Sequence, residues 1–406
     1  MKYPDDFINK IIQGDCVEVM KTFPDNYVTT LVCDPPYGLA FMGKEWDDFG
    51  TDLKKFQEWV RIWAVEAFRV AKPGATLLCF GGTRTFHRLT CGLEDAGWQI
   101  KDVLMWLYGS GFPKSLDISK AIDKMKGVER EKIEYEHWGR RNRSYQPNGS
   151  PFNFDKDKVK NKQYKTLPTT SEAKEWEGYG TSLKPAYEPI IMAMKPKDGS
   201  YANNALKWGV AGLNIDGCRI GTHGGVQKVN IVPNSGGFSG EGFGCNGELI
   251  DLNKGRFPAN VILDEESAKM LDEQSGITTS RPDYRTNEIK KSTVPFCNKR
   301  RPNLLNDKGG ASRFFYCAKA SKSERTANRQ IENDHPTLKP LELIKYLVKL
   351  ATPPNGLILD PFVGSGTTCV ACKILGYDCI GIERELNYVE IANKRLEGIR
   401  VNDVLF

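Results

Sequence analysis

Long apolar runs are missing from this chain: nowhere in its 406 residues does one reach the roughly 18 consecutive positions that a membrane-spanning helix requires. The first residues lack the basic start and apolar stretch of a secretory signal, so a soluble cytoplasmic protein without membrane contact is expected. Histidine is scarce, with four in the whole sequence, and His87, His137 and His223 read as surface or packing residues rather than catalysts. The eleven cysteines follow no framework spacing, and several, such as Cys33 and Cys79, fall inside apolar strands. Reduced thiols are therefore expected rather than disulfides. Cys369 and Cys372 form a lone Cys-x-x-Cys on a predicted helix, which reads as core packing, and no zinc site is expected. What the chain does have is a hydrophobic share of 40%, enough for a sizeable core in one large domain plus a second module.

The most informative stretch is Asp34-Pro35-Pro36-Tyr37, which follows the apolar run Val28-Thr29-Thr30-Leu31-Val32-Cys33. Proline fixes its own φ and restricts the residue before it, so the backbone stays extended and the Pro35 carbonyl is left free to accept a hydrogen bond. A carboxylate, a rigid carbonyl and an aromatic ring at the carboxyl end of a buried strand can clamp one flat base carrying an amino group. Taken alone, the tetrapeptide reads equally well as a turn closing a strand.

A second signature shifts that balance. Leu357-Ile358-Leu359-Asp360 reads as a short buried strand running into Pro361-Phe362-Val363-Gly364-Ser365-Gly366-Thr367-Thr368 and then a helix over 369–375. Glycines at 364 and 366 let a ligand approach the main chain closely, and the helix start offers free N–H groups to an anionic group. The spacing is not the dinucleotide fingerprint, because Cys369 stands where the third glycine would be. A further strand over 377–382 ends at Glu383, about where an acidic residue takes ribose hydroxyls. A nucleoside-bearing cofactor without a pyrophosphate is expected.

Together these motifs resemble the catalytic and cofactor signatures of the amino-directed DNA methyltransferases that use S-adenosylmethionine, in the beta arrangement, with the catalytic motif first; phage and prophage members that act on adenine N6 are similar. Gly14-Asp15-Cys16, Lys72-Pro73-Gly74 and His335-Pro336-Thr337-Leu338-Lys339-Pro340 fall in place with that family, as do the less specific Tyr187-Glu188-Pro189-Ile190-Ile191 and Ser312-Arg313-Phe314-Phe315-Tyr316. The resemblance covers residues 11 to about 113 and about 331 to 397. It implies a doubly wound, mostly parallel, seven-stranded α/β sheet with a large irregular insertion for target recognition. It also implies that Asp34, Pro35, Pro36 and Tyr37 are catalytic, and that Asp15 serves the cofactor's adenine and Glu383 its ribose. Asp360 and Phe362 would shape the methionine end, with His335, Thr337 and Lys339 near its carboxylate, and Cys16, Gly364, Ser365, Gly366 and Thr367 would also bind the cofactor. An Asp at the first clamp position resembles adenine-N6 enzymes; a cytosine-N4 enzyme, or a catalytically silent DNA-binding protein on the same fold, is the alternative.

Charge adds a partner. The net is only +6, yet residues 114–166 hold fourteen Lys or Arg against eight Asp or Glu, and residues 281–330 hold thirteen against four. Arg140, Arg141, Arg143 and Lys299, Arg300, Arg301 are the candidates for gripping double-stranded DNA. The strand and helix alternation runs through helices over 53–70 and 85–96, lapses after 113 and resumes at 338, so three parts are expected: 1–113, 114–330 and 331–406. The loop 38–50, with Phe41 and Trp46, reads equally as a lid over the base or an ordinary loop. The resemblance also allows for a homodimer and a cognate restriction endonuclease.

Overall fold

A computed structural model describes residues 4–39, 47–50, 52–109, 111, 115–136, 162–221, 255–279, 308–318 and 338–399. In the first part β1 (Lys10–Gln13), β2 (Val28–Cys33), β3 (Ala71–Phe80) and β4 (Gln99–Leu107) alternate with α1 (Cys16–Met20), α2 (Leu53–Val70) and α3 (Phe86–Asp95). All six residues of β2 are buried, as suits a strand covered on both faces. Along α2, Phe56, Val60, Trp63, Ala64, Ala67 and Val70 recur at helical spacing and are buried, and Asp52 caps the helix by accepting the Lys54 N–H.

Gly111–Pro185 forms a compact unit of its own. It contains α4 (Ile118–Met125), the antiparallel pair β5 (Glu131–Glu136) and β6 (Lys162–Leu167), and α5 (Ser171–Glu175). Its organising group is Asp123, which is wholly buried. That carboxylate accepts from Arg130 at 2.8 Å, from the N–H groups of Thr169 and Thr170, and from the Thr170 hydroxyl, a full set of partners for a charge away from water.

From Ala186 the chain returns to the first unit with β7 (Tyr187–Met194), α6 (Tyr201–Trp208), β8 (Val261–Asp264) and α7 (Glu265–Ser275). A small ribbon of β9 (Thr278–Thr279) and β10 (Lys308–Gly309) follows, then β11 (Tyr316–Ala318). The last part is α8 (Leu341–Ala351), β12 (Leu357–Asp360), α9 (Thr367–Leu375), β13 (Asp378–Glu383) and α10 (Leu386–Glu397).

One sheet of nine strands results, in the order β1-β13-β12-β2-β3-β7-β4-β8-β11, and every pair in it is parallel except the two made by β7. The doubly wound, mostly parallel architecture is as expected, with nine strands where seven were anticipated. The interval 114–330 was expected as one insertion; among its described residues, β7, β8 and β11 belong to the main sheet, and Gly111–Pro185 forms a unit of its own. At four and three residues, β8 and β11 are too short to display a period.

Alternate residues of the central strands feed two cores. Leu31, Cys33, Leu77 and Cys79 join α2 and α3 on one face, while Val32, Leu78 and Phe80 join α8 and α9 on the other. From β2 the chain winds through α2 to β3, and from β12 it winds the opposite way through α9 to β13. Because Leu31 lies beside Leu359, the crevice beyond the carboxyl ends of β2 and β12 is the point where strand order reverses, the usual ligand site of such sheets.

Candidate active site

Asp34 is the first residue beyond β2, and the backbone around it is held from several sides. The Thr85 hydroxyl donates to the Tyr37 carbonyl at 2.6 Å, and Asp47, almost fully buried, accepts the N–H groups of Gly38 at 2.7 Å and Leu39 at 3.2 Å. Gly82 comes close enough that an added Cβ would lie 3.1 Å from the Tyr37 ring. The tetrapeptide is thus fixed before any ligand arrives.

Its polar groups converge on one cation. Lys339 Nζ lies 2.9 Å from Asp34 Oδ2 and 3.1 Å from Glu188 Oε2, and it donates to the Tyr37 hydroxyl at 3.0 Å. The Tyr37 hydroxyl stands 2.8 Å from Asp34 Oδ1 and 3.1 Å from Glu188 Oε2, and its single proton can serve one carboxylate at a time. Lys339 has a side-chain exposure of 9%, so its ammonium is largely out of water. Burial disfavours that charge, but Asp34 and Glu188 outweigh it and hold the lysine protonated well above its usual range. For Asp34 the balance falls the other way: burial pushes its carboxyl up, Lys339 pulls it down, and Glu188 adds to the rise.

On the neighbouring strand, β12 ends at Asp360, which is buried and accepts the Phe362 N–H at 3.0 Å. Burial pushes the Asp360 carboxyl up to about 8. The chain then turns through Gly364 at φ 52 and Gly366 at φ 87, in the left-handed region that glycine enters without cost, and α9 starts with no side-chain cap. Glu383, at the end of β13, accepts the Gly364 N–H at 2.9 Å through one oxygen and the Glu385 N–H at 2.9 Å through the other. Burial raises its carboxyl as well. Phe362 packs edge-on to Trp63 with ring centres 5.2 Å apart and lies 5.7 Å from Trp59, which ties the bend to α2.

Asp15 and Cys16 follow β1, whose last residue, Gln13, pairs with Glu383. The exposed Asp15 caps α1 by accepting the Val17 and Glu18 N–H groups, and Cys16 is buried with its thiol pushed up to about 12 by that burial. The ends of β1, β13, β12 and β2 therefore bring Asp15, Cys16, Glu383, Asp360, Phe362, Gly364, Ser365, Gly366, Thr367 and Asp34 through Tyr37 to one sheet edge, with Lys339 beside them. His335, Thr337, Phe41, Trp46, Arg140, Arg141, Arg143, Lys299, Arg300 and Arg301 lie outside the described residues. Cys369 and Cys372 are buried in the core between α9 and the sheet. Among the described residues no group of His, Cys, Asp and Glu could hold a metal ion, and no helix is long and apolar enough to cross a membrane.

Two further residues stand at the site, Glu188 marked in the sequence only by a less specific stretch and Arg395 by no motif. Glu188 arrives on β7, and only the reversed direction of that strand brings its beginning to this edge. Arg395 of α10, 5% exposed, donates from Nη1 to the Ser365 carbonyl at 2.5 Å, the Ser365 hydroxyl at 3.2 Å and the Thr367 hydroxyl at 3.1 Å, clamping the glycine bend from behind.

A family model described as DNA methylase matches residues 28–394. The Type II methyltransferase M.HinfI of Haemophilus influenzae is 35% identical over 412 residues, covering 98% of this chain and 71% of that protein. The Type II methyltransferase M.HindIII of the same species is 22% identical over 437 residues, covering 98% of each. Among solved structures, the M1.HpyAVI–SAM complex is similar at 16% identity and a TM-score of 0.39, over 95% of this chain and 98% of that one.

Proposed function

The chain belongs to the DNA methylase family, and on that premise we propose that it moves a methyl group from S-adenosylmethionine to the exocyclic N6 of an adenine turned out of double-stranded DNA. One observation carries the reading: Asp34-Pro35-Pro36-Tyr37 and the Gly364–Gly366 bend, remote in sequence, leave adjacent parallel strands at the same edge. An acceptor for an amine and a pocket for its methyl donor then share one crevice.

When bound, S-adenosylmethionine supplies a sulfonium methyl, which the amine's lone pair takes up while the carbon–sulfur bonding pair stays on sulfur. That lone pair is conjugated with the base and is a poor nucleophile. Asp34 and the Pro35 carbonyl, each accepting one N–H, favour a more tetrahedral nitrogen, and the carboxylate stands where positive charge grows. Asp34 can also take the proton that the methylated nitrogen gives up. Pro36 keeps the clamp extended, and Tyr37 offers a face for stacking that offsets part of the cost of extruding a base.

The donor set fits the cofactor. Glu383 accepts the backbone N–H groups of Gly364, Glu385 and Arg384, which leaves a carboxylate lone pair for a ribose hydroxyl, and the uncapped start of α9 suits an anionic group. Asp15 is assigned to the adenine end, Asp360 and Phe362 to the methionine end, and His335 and Thr337 to its carboxylate, with Cys16 and the bend lining the cofactor; Lys339, grouped with His335 and Thr337 in the sequence, has its ammonium between Asp34 and Glu188. The order of the two motifs supports the beta arrangement, and a carboxylate at the first clamp position supports adenine over cytosine. Gly111–Pro185 and the basic runs at 140–143 and 299–301 are the proposed DNA-reading and phosphate-gripping parts. A homodimer, a cognate endonuclease and action in the cytoplasm of a bacterial or phage-infected cell belong to the same reading.

Incubation with methyl-labelled cofactor and unmethylated DNA, followed by digestion to nucleosides and mass spectrometry, tests it. Labelled N6-methyladenine is expected. Labelled N4-methylcytosine would reassign the base, and DNA binding without label in any nucleoside would leave a silent DNA-binding protein on this fold.

A further inference from the structure

Every strand of the main sheet near the crevice ends at the carboxyl edge except β7, which begins there. Phe80 pairs with Ile190 and Trp106 with Glu188, so Glu188 stands just beyond the end of β3, beside the clamp. It shares Lys339 with Asp34 at 3.1 Å and 2.9 Å, while the ammonium lies 5.3 Å from the centre of the Tyr37 ring and 5.0 Å from that of Phe80. Two carboxylates and one ammonium leave a single net negative charge. As placed, however, Lys339 sits on Asp34 Oδ2 and the Tyr37 hydroxyl stands at Oδ1, the oxygens that an incoming amine must reach. An amine gaining positive charge is not stabilised by a carboxylate that a second cation already occupies.

We propose that Glu188 is a positioning residue for the methyl-transfer site: it holds Lys339 away from Asp34 when the base docks, leaving Asp34 free to accept the amine and keeping one net negative charge for the cation that forms on nitrogen. The inference rests on the reading that Asp34 receives an exocyclic amine. With Glu188→Gln, Lys339 has Asp34 as its one remaining carboxylate partner here, and the amine must compete with it. Lys339→Met leaves two facing carboxylates with no cation between them, so the pair holds a proton more tightly. Removing both charges returns the net to minus one with Asp34 unobstructed.

The groups facing Asp34 are Lys339 ahead of α8, Glu188 on β7, Tyr37 in the same loop and Asp360 at the end of β12, with Tyr108 beyond β4 facing Glu188 and Lys339. Of these the lysine is the one cation, and its loss moves Asp34 upward.

Single-turnover methyl transfer by the full chain to unmethylated DNA, measured across pH together with cofactor affinity, decides the matter. Glu188→Gln should slow transfer roughly 10- to 100-fold while cofactor affinity stays within about twofold, the pattern of a lost transition-state contact. Adding Lys339→Met to Glu188→Gln should recover part of that rate, and Lys339→Met alone should move the acidic limb of the pH profile upward. A purely structural role for Glu188 gives no rescue by a second substitution. Wild-type rates in Glu188→Gln, or a double variant no faster than Glu188→Gln, would overturn the proposal. Should Glu188→Gln lose cofactor binding through misfolding, the acidic limb of Lys339→Met is compared with that of the wild type, and coincident limbs would overturn it. A wild-type chain that methylates no DNA would instead sink the underlying reading of Asp34, and the inference with it.

Discussion

Arg395→Met isolates the clamp behind the glycine bend, because it keeps an unbranched stem of similar length and deletes the guanidinium. Nη1 has two protons shared among three acceptors on Ser365 and Thr367, so the loss is about two charge-assisted hydrogen bonds, worth roughly 1.5–3 kcal/mol each. The guanidinium is itself buried, and relief of its desolvation returns part of that sum, leaving a net cost of about 2–4 kcal/mol. If the cofactor must re-order the bend on binding, its affinity falls by a similar free energy, about 30-fold or more in Kd. Titration calorimetry with S-adenosylmethionine and a urea unfolding curve read the two effects separately. An unfolding midpoint and a Kd both equal to wild type would refute the view that Arg395 holds the bend in its binding shape.

Burial holds the Asp360 carboxyl up at about 8, and its effect on stability has a sign that can be checked. Between its unfolded range near 4 and that value, the folded chain binds a proton that the unfolded chain releases, so this group makes stability fall as pH rises through the interval. Asp360→Asn should therefore flatten the decline of the urea midpoint between about pH 5 and 8, and an identical decline in the variant would show that Asp360 is not held protonated. Replacing Arg140, Arg141 and Arg143 together with Gln should weaken DNA binding and shallow its salt dependence by up to about 2–3 units of slope, the value for three phosphate contacts; a slope equal to wild type would place this run off the DNA.

Much of this architecture is legible in local sequence because its central strands are short apolar runs with punctuated ends. Val28-Thr29-Thr30-Leu31-Val32-Cys33 stops at two prolines, and Leu357-Ile358-Leu359-Asp360 stops at a proline and two glycines, so both the strands and their chemistry-bearing ends can be read directly. The helix expected over 53–70 is α2 residue for residue, since its apolar positions keep a 3.6 period for five turns. What local pattern does not carry is strand direction. β7 reads as a buried strand, but nothing in it says that it runs antiparallel and delivers Glu188 to Lys339. The strands within 114–330 are hidden for a related reason: β8 and β11 are brief, and residues 222–254 and 280–307, rich in glycine, asparagine and lysine, interrupt the pattern around them. Arg395 is an ordinary basic residue late in a helix until α10 is packed against α9.

The central claim is that Asp34 acts on the amine and the glycine bend on its methyl donor, across one crevice. It is tested most directly by pairing two readings on Asp34→Ala: the rate of methyl transfer to DNA and the affinity for S-adenosylmethionine. The account predicts that transfer falls by at least about 100-fold while the cofactor Kd stays within about twofold. Undiminished transfer, or a cofactor affinity that collapses together with the rate, would contradict it.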